Sequence, residues 1–194
     1  MPYRKLYRAR QDANEDFQPL SWYVADAKEL SWVSDVALKA TNAMPVEGLS
    51  GFVVRHATED HGLTHKYTIV VAEGLDETAS YMERFVVIKE LMHCYFACDD
   101  GSATDNQFVL ETHMRQFFGQ SATTQSLHVR AEYKALWMAM GVLCPERLRQ
   151  QYRAEHDANE RTLEDISARL RVPAHIVILL LSDQFDDELR AILN

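Results

Sequence analysis

Arg84-Phe85-Val86-Val87-Ile88-Lys89-Glu90-Leu91-Met92-His93 decides how this chain is read. It sits inside a longer apolar run, Glu77 to Ala97, that also carries Tyr95 and Phe96. Apolar residues fall in nearly every direction around its later turns, and a helix that is apolar all round belongs in the centre of a domain. Into that helix the sequence sets an ammonium, a carboxylate and an imidazole. A buried charge without a partner costs several kcal/mol, so Lys89, Glu90 and His93 must line a cleft or pair with something. Lys89 and His93 are one helical turn apart on a shared face, and Glu90 and His93 are near neighbours at a spacing of three.

Working outward, the 194 residues suit one domain of ordinary size or a domain with an appendage. At 47% hydrophobic and 25% charged, the chain has enough material for a core and for a solvated surface. No apolar run reaches the ~18 residues of a membrane span, and Met1-Pro2-Tyr3-Arg4-Lys5-Leu6 lacks the apolar segment of a secretory signal. A net charge of −9 opposes a nonspecific grip on nucleic acid. The three cysteines, Cys94, Cys98 and Cys144, are an odd number and read as reduced thiols of a cytoplasmic protein. Cys94 and Cys98 have no second pair to complete a zinc signature and read as core residues.

Local patterns give an α+β fold, mostly helical around a small antiparallel sheet. Residues 1–20 read as an irregular arm. Ala27, Leu30, Val33, Val36 and Ala37 recur at helical spacing and predict a helix from Val24 to about Ala43, ended by Pro45 and Gly48. Gly51-Phe52-Val53-Val54-Arg55 and Tyr67-Thr68-Ile69-Val70-Val71 predict two antiparallel strands joined by the polar loop from Ala57 to Thr64. Asp99-Asp100-Gly101-Ser102 closes the buried helix, and Phe108 to Phe118 can form a short one. Leu127 to Val142 is a second apolar helix, stopped by Pro145, and Glu146 to Arg153 a more polar one. Helices around Thr162, from Ala174 to Leu181 and from Asp183 to Leu193 complete the tail.

The second apolar helix contains one outlying acid, Glu132, in Ala131-Glu132-Tyr133-Lys134-Ala135-Leu136-Trp137-Met138-Ala139. Two buried helices that each turn an acid or imidazole inward can build a metal site at their crossing, and catalytic zinc takes two imidazoles and a carboxylate with water in the fourth position. Lys89-Glu90-x-x-His93 differs by one residue from His-Glu-x-x-His, in which two imidazoles grip zinc and the glutamate polarises the attacking water. A protonated lysine donates and cannot accept, so Lys89 is no ligand. It does place a positive charge where an ion would sit. Lys89 is therefore expected to pair with Glu132, donate to neutral His93 and replace the metal as an internal cation; the alternative has its stem packed and its amine in solvent. His56, His61 and His65, in or beside the loop, read as solvated imidazoles. His113 and His128 are further candidates for a displaced ligand.

The run from Arg84 to His93 resembles the active-site helix of the ImmA/IrrE metallopeptidases, which read Arg-Phe-Thr-x-Ala-His-Glu-x-Gly-His. Glu132-x-x-Ala135-x-x-x-Ala139 followed by Val142-Leu143-Cys144-Pro145 is similar to the family's Glu-x-x-Ala-Asn-x-Phe-Ala and Leu-Leu-Met-Pro. Asp165 to Pro173 resembles its Leu-Ala-x-x-Phe-x-Val-Ser segment. The resemblance implies a zincin-like domain over residues 21–155 with a buried active-site helix, and a C-terminal helical segment, 156–194, packed on it. It also implies that Glu90 is the ancestral general base, and that His93 and Glu132 are metal ligands if metal is retained. Lys89 stands in the position of the first ligand, and Val86, Met92 and Leu136 replace the usual Thr, Gly and Asn.

Two functions follow from the resemblance. One is a pseudoenzyme with no cofactor that acts by binding a protein partner, such as a helix-turn-helix repressor of a mobile element or stress response. The other is an active zinc peptidase that cleaves such a repressor, its metal held by His93, Glu132 and a further ligand. A third reading, DNA binding through a helix-turn-helix at Arg161 to Leu181, is opposed by the apolar second helix, Ala174-His175-Ile176-Val177-Ile178-Leu179-Leu180-Leu181, which belongs in a core or an interface.

Overall fold

The computed structural model describes residues 2–13, 15–44, 50–58, 64–95 and 127–194. In chain order the elements are helix α1 (Pro2–Asp12), α2 (Leu20–Lys28), strands β1 (Val33–Thr41), β2 (Gly51–Ala57) and β3 (His65–Ala72), then α3 (Leu75–Thr78) and α4 (Met82–Leu91). A 3-10 turn, Met92–Tyr95, extends α4. Helices α5 (Leu127–Leu143), α6 (Glu146–Asp157), α7 (Leu163–Leu170), α8 (Ala174–Leu180) and α9 (Asp183–Leu193) follow. The α+β, mostly helical class holds. The expected short helix at Phe108 to Phe118 and the end of the buried run past Tyr95 lie outside the described residues.

The sheet has three strands in the order β1-β3-β2. β2 and β3 pair antiparallel as expected, with Val53 opposite Ile69. β1 pairs parallel to β3, so the sheet is mixed rather than antiparallel. The helix predicted over Val24 to Ala43 is thus corrected: only Leu20–Lys28 is helical, and the chain then crosses into β1. A register shift between Val33 and Asp35 explains the misleading pattern. The bulge lets Val33 and Val36, three apart, both be buried, and that spacing imitates a helical face.

The expected irregular arm at 1–20 is also corrected. Residues Pro2–Asp12 form a helix that buries Tyr3, Leu6 and Arg10. The Tyr3 hydroxyl donates to the Met138 carbonyl at 2.9 Å. Arg10, fully buried, spends its guanidinium on the carbonyls of Val142, Glu15 and Asp16. A Cβ on Gly141 would come within 2.7 Å of the Tyr3 hydroxyl, so α1 crosses α5 where only glycine fits.

One hydrophobic core includes Tyr3 and Leu6 of α1, Tyr67 and Ile69 of β3, most of α4 and α5, and Ile176, Phe185 and Leu189 of the last two helices. α4 lies beneath the sheet at close range: a Cβ on Gly51 of β2 would meet Val86 Cγ1 at 2.5 Å. On its other side α4 packs against α5, where Ala131, Ala135 and Ala139 repeat once per turn and are buried. The turn Thr162–Asp165 starts α7 with a reciprocal capping box.

Candidate functional site

The α4–α5 crossing carries four polar side chains in otherwise apolar surroundings. On α4, Phe85, Val86, Val87, Ile88 and Leu91 are buried, and so is Glu90. His93, in the 3-10 turn, is buried too, and Glu132 reaches it from α5 at 9% exposure. Lys89 is the least enclosed member, with 15% of its side chain exposed.

Every charge in this group faces an opposite one. The Lys89 ammonium hydrogen-bonds Oε2 of Glu132 and lies 2.7 Å from Oε1 of Glu90. The second Glu132 oxygen, Oε1, is 3.0 Å from Nε2 of His93, which stands 3.8 Å from Oε2 of Glu90. The expected Lys89–Glu132 pair is present. The ammonium's second acceptor is Glu90, not the expected His93.

Burial and charge oppose each other here, and the outcome differs between the two acids. Burial alone would discharge Lys89, but Glu132 and then Glu90 outweigh it and hold the ammonium well above the ordinary lysine range. Burial would also raise Glu132, yet Lys89 and His93 beside it win and keep it below the usual carboxylate range. For Glu90 burial prevails over Lys89, with repulsion from Glu132 adding to it, and its pKa is raised. Glu132 is therefore the firmly ionised partner and Glu90 the carboxylate closer to taking a proton.

Glu90, His93 and Glu132 each offer a ligand atom within 4.8 Å of the others, and among the described residues no other group of His, Cys, Asp and Glu does so. The donor types would suit zinc. The same two carboxylates already accept from the Lys89 ammonium, so an ion held by all three would compete with that cation for their lone pairs. Lys89 and a metal ion would thus draw on the same two carboxylates.

Sequence reasoning brought Lys89, Glu90, His93 and Glu132 together correctly. His56 is exposed on β2 and His65 sits on β3, with neither joined to this group; His61, His113 and Cys98 lie outside the described residues, as does the side chain of His128. It missed the residues that hold the site in place. The Trp32 indole donates to the Cys94 carbonyl at 2.9 Å, and the Tyr95 hydroxyl donates to Oδ1 of Asp26 at 2.8 Å. These bonds tie the 3-10 turn that carries His93 to α2 and the start of β1. Their signal was an aromatic ring with a polar tip in a buried run, which usually finds a hydrogen-bond partner. At the other end of α4, Arg84 donates to the carbonyls of Gln18 and Arg171 and stacks over Phe17 at 4.6 Å.

Comparisons with protein-family models, with curated proteins and with solved structures find no match to this chain.

Proposed function

We propose that this chain is a pseudoenzyme with the shape of a zinc peptidase of the ImmA/IrrE kind, acting through a protein partner rather than through bond cleavage. The observation that carries the reading is the Lys89 ammonium bonded to both Glu132 and Glu90. A tethered cation neutralises the site that an ion would neutralise in a working enzyme, and it neither accepts a water molecule as ligand nor lowers that water's pKa. Glu90, the residue in the position of the general base, is engaged by the same ammonium. The partner class is a helix-turn-helix repressor, recognised as an extended segment added to a sheet edge by main-chain pairing. β2 suits this role, since among the described residues it is an edge strand and it packs against α4.

A second reading is an active metallopeptidase, favoured by the closeness of Glu90, His93 and Glu132. It requires Lys89 to leave both carboxylates. The two readings part on catalysis: purified chain supplied with excess zinc should leave an unfolded protein substrate intact, with or without chelator. Cleavage that a chelator abolishes would establish the second reading instead.

A further inference from the structure

Among the described residues β1 is an edge strand, because the sheet order leaves only β3 beside it. Its inward and outward groups follow from the ladder. Glu73 N–H donates to the Thr41 carbonyl at 2.9 Å, and Thr41 is registered with Ala72. In a parallel ladder this makes Thr41 an inward-bonding residue, and by the period of two so are Lys39 and Ala37. The main-chain groups of Val36, Leu38 and Ala40 then point away from the sheet. Among the described residues no backbone group pairs with Leu38 or Ala40 on that side.

The side chains of this edge are unusual as well. Leu38 stands opposite Ile69, which is 1% exposed, on the face of the sheet that covers α4, yet Leu38 itself is 44% exposed. Lys39 and Ala40 are exposed beside it. On the other face Asp35 Oδ1 lies 2.7 Å from the Lys28 ammonium and Oδ2 3.7 Å from that of Lys66. An open edge with an exposed leucine invites another strand.

We propose that two copies of this chain pair antiparallel along β1 about a two-fold axis at Ala37, joining their three-stranded sheets into one. The chemistry selects both the occupant and the register. With the axis at Ala37, Asp35 of each copy faces Lys39 of the other, and Val36 faces Leu38. The outward-pointing groups of Val36 and Leu38 then meet as a hydrogen-bonded pair, and Asp35 and Lys39 as the closer, non-hydrogen-bonded pair. An axis at Asp35 or at Lys39 would set like charges directly opposite, which destabilises a strand pair. An axis at Leu38 would leave Asp35 opposite Thr41 and Lys39 opposite Ala37. Pairing at Ala37 brings the Val36 N–H to the partner's Leu38 carbonyl, and the Asp35 carboxylate receives the partner's Lys39. Leu38 gains an apolar neighbour on the core face. Two short edges bury less than the ~1,200 Å² of a standard interface, so the dimer is weak and exchanges rapidly.

Sedimentation velocity of the full chain from micromolar to millimolar concentration tests this. The weight-average sedimentation coefficient should rise with concentration towards that of a dimer. Lys39→Asp and Asp35→Lys should each hold the chain at the monomer value at every concentration. An equimolar mixture of the two variants should regain association, because in the mixed dimer Asp35 of the Lys39→Asp chain faces Lys39 of the Asp35→Lys chain, and the two substituted positions face each other with opposite charges. Lys39 is exposed, so Lys39→Asp carries the test alone should Asp35→Lys unfold. A wild-type chain that stays monomeric at millimolar concentration, association that Lys39→Asp leaves unchanged, or two folded single variants that do not associate when mixed would each overturn the proposal.

Discussion

Lys89 and Arg149 are both cations set into the interior between two acids, and the placement of those acids separates a site from a staple. Arg149 is fully buried; its guanidinium bonds both oxygens of Glu146 at 2.8 and 3.0 Å, reaches Asp186 and stacks over Phe185 at 4.7 Å. Glu146 and Asp186 keep 40% and 39% of their side chains exposed, so water shares in solvating them. The arrangement joins α6 to α9 and has no acceptor to spare. Around Lys89 the acids themselves are buried, at 2% for Glu90 and 10% for Glu132, and a buried imidazole joins them. Two buried carboxylates meet one ammonium, and a buried imidazole stands against the same two carboxylates.

Removing each cation in turn separates the two arrangements by the largest margin. Lys89→Met should lower stability by about 3–5 kcal/mol, because two buried carboxylates lose their counter-charge. Urea denaturation at neutral pH measures this, and a loss below about 1 kcal/mol, the range of exposed pairs, would show that Glu90 and Glu132 do not depend on Lys89. Arg149→Met should cost less, about 1–3 kcal/mol, since Glu146 and Asp186 can turn to solvent. If Arg149→Met proves the more damaging, the distinction between site and staple fails.

pH sharpens the contrast within the site. Glu132 has a folded pKa below its ordinary value of 4.5, so its contribution is present above about that pH and is lost as pH falls through the folded value. The stability gap between wild type and Glu132→Gln should therefore be largest near neutrality and close in acid. Glu90 is raised, so its contribution has the opposite sign: it is full below 4.5 and lost as pH rises through the folded value. Glu90→Gln should then be neutral or slightly stabilising at neutral pH. Paired denaturation curves from pH 3 to 8 measure both (an experimental range of about that width spans the carboxylate pKa values).

The site was more legible in the sequence than the fold around it. Glu132 stood out as the one acid in an apolar helix, and Lys89, Glu90 and His93 as the polar exceptions in another, because desolvation makes such residues improbable unless they meet. The two strands β2 and β3 were equally plain from their β-branched runs. β1 was not, because its bulge put Val33 and Val36 on one side at helical spacing. α1 was hidden by its polar composition; Tyr3, Leu6 and Arg10 do form a buried stripe, but Arg10 belongs to it only through three carbonyls that no local pattern announces. Trp32 and Tyr95 support the His93 turn through bonds that span 62 and 69 residues of chain, beyond the reach of periodicity.

Isothermal titration of zinc into the purified chain and into Lys89→His tests the central claim most directly. With the ammonium on Glu132 and Glu90, the wild-type chain should show no tight zinc site, and Lys89→His should take up about one equivalent with proton release. Tight zinc binding by the wild-type chain, or a folded Lys89→His variant that takes up none, would contradict the account of Lys89 as the cation standing in a metal's place.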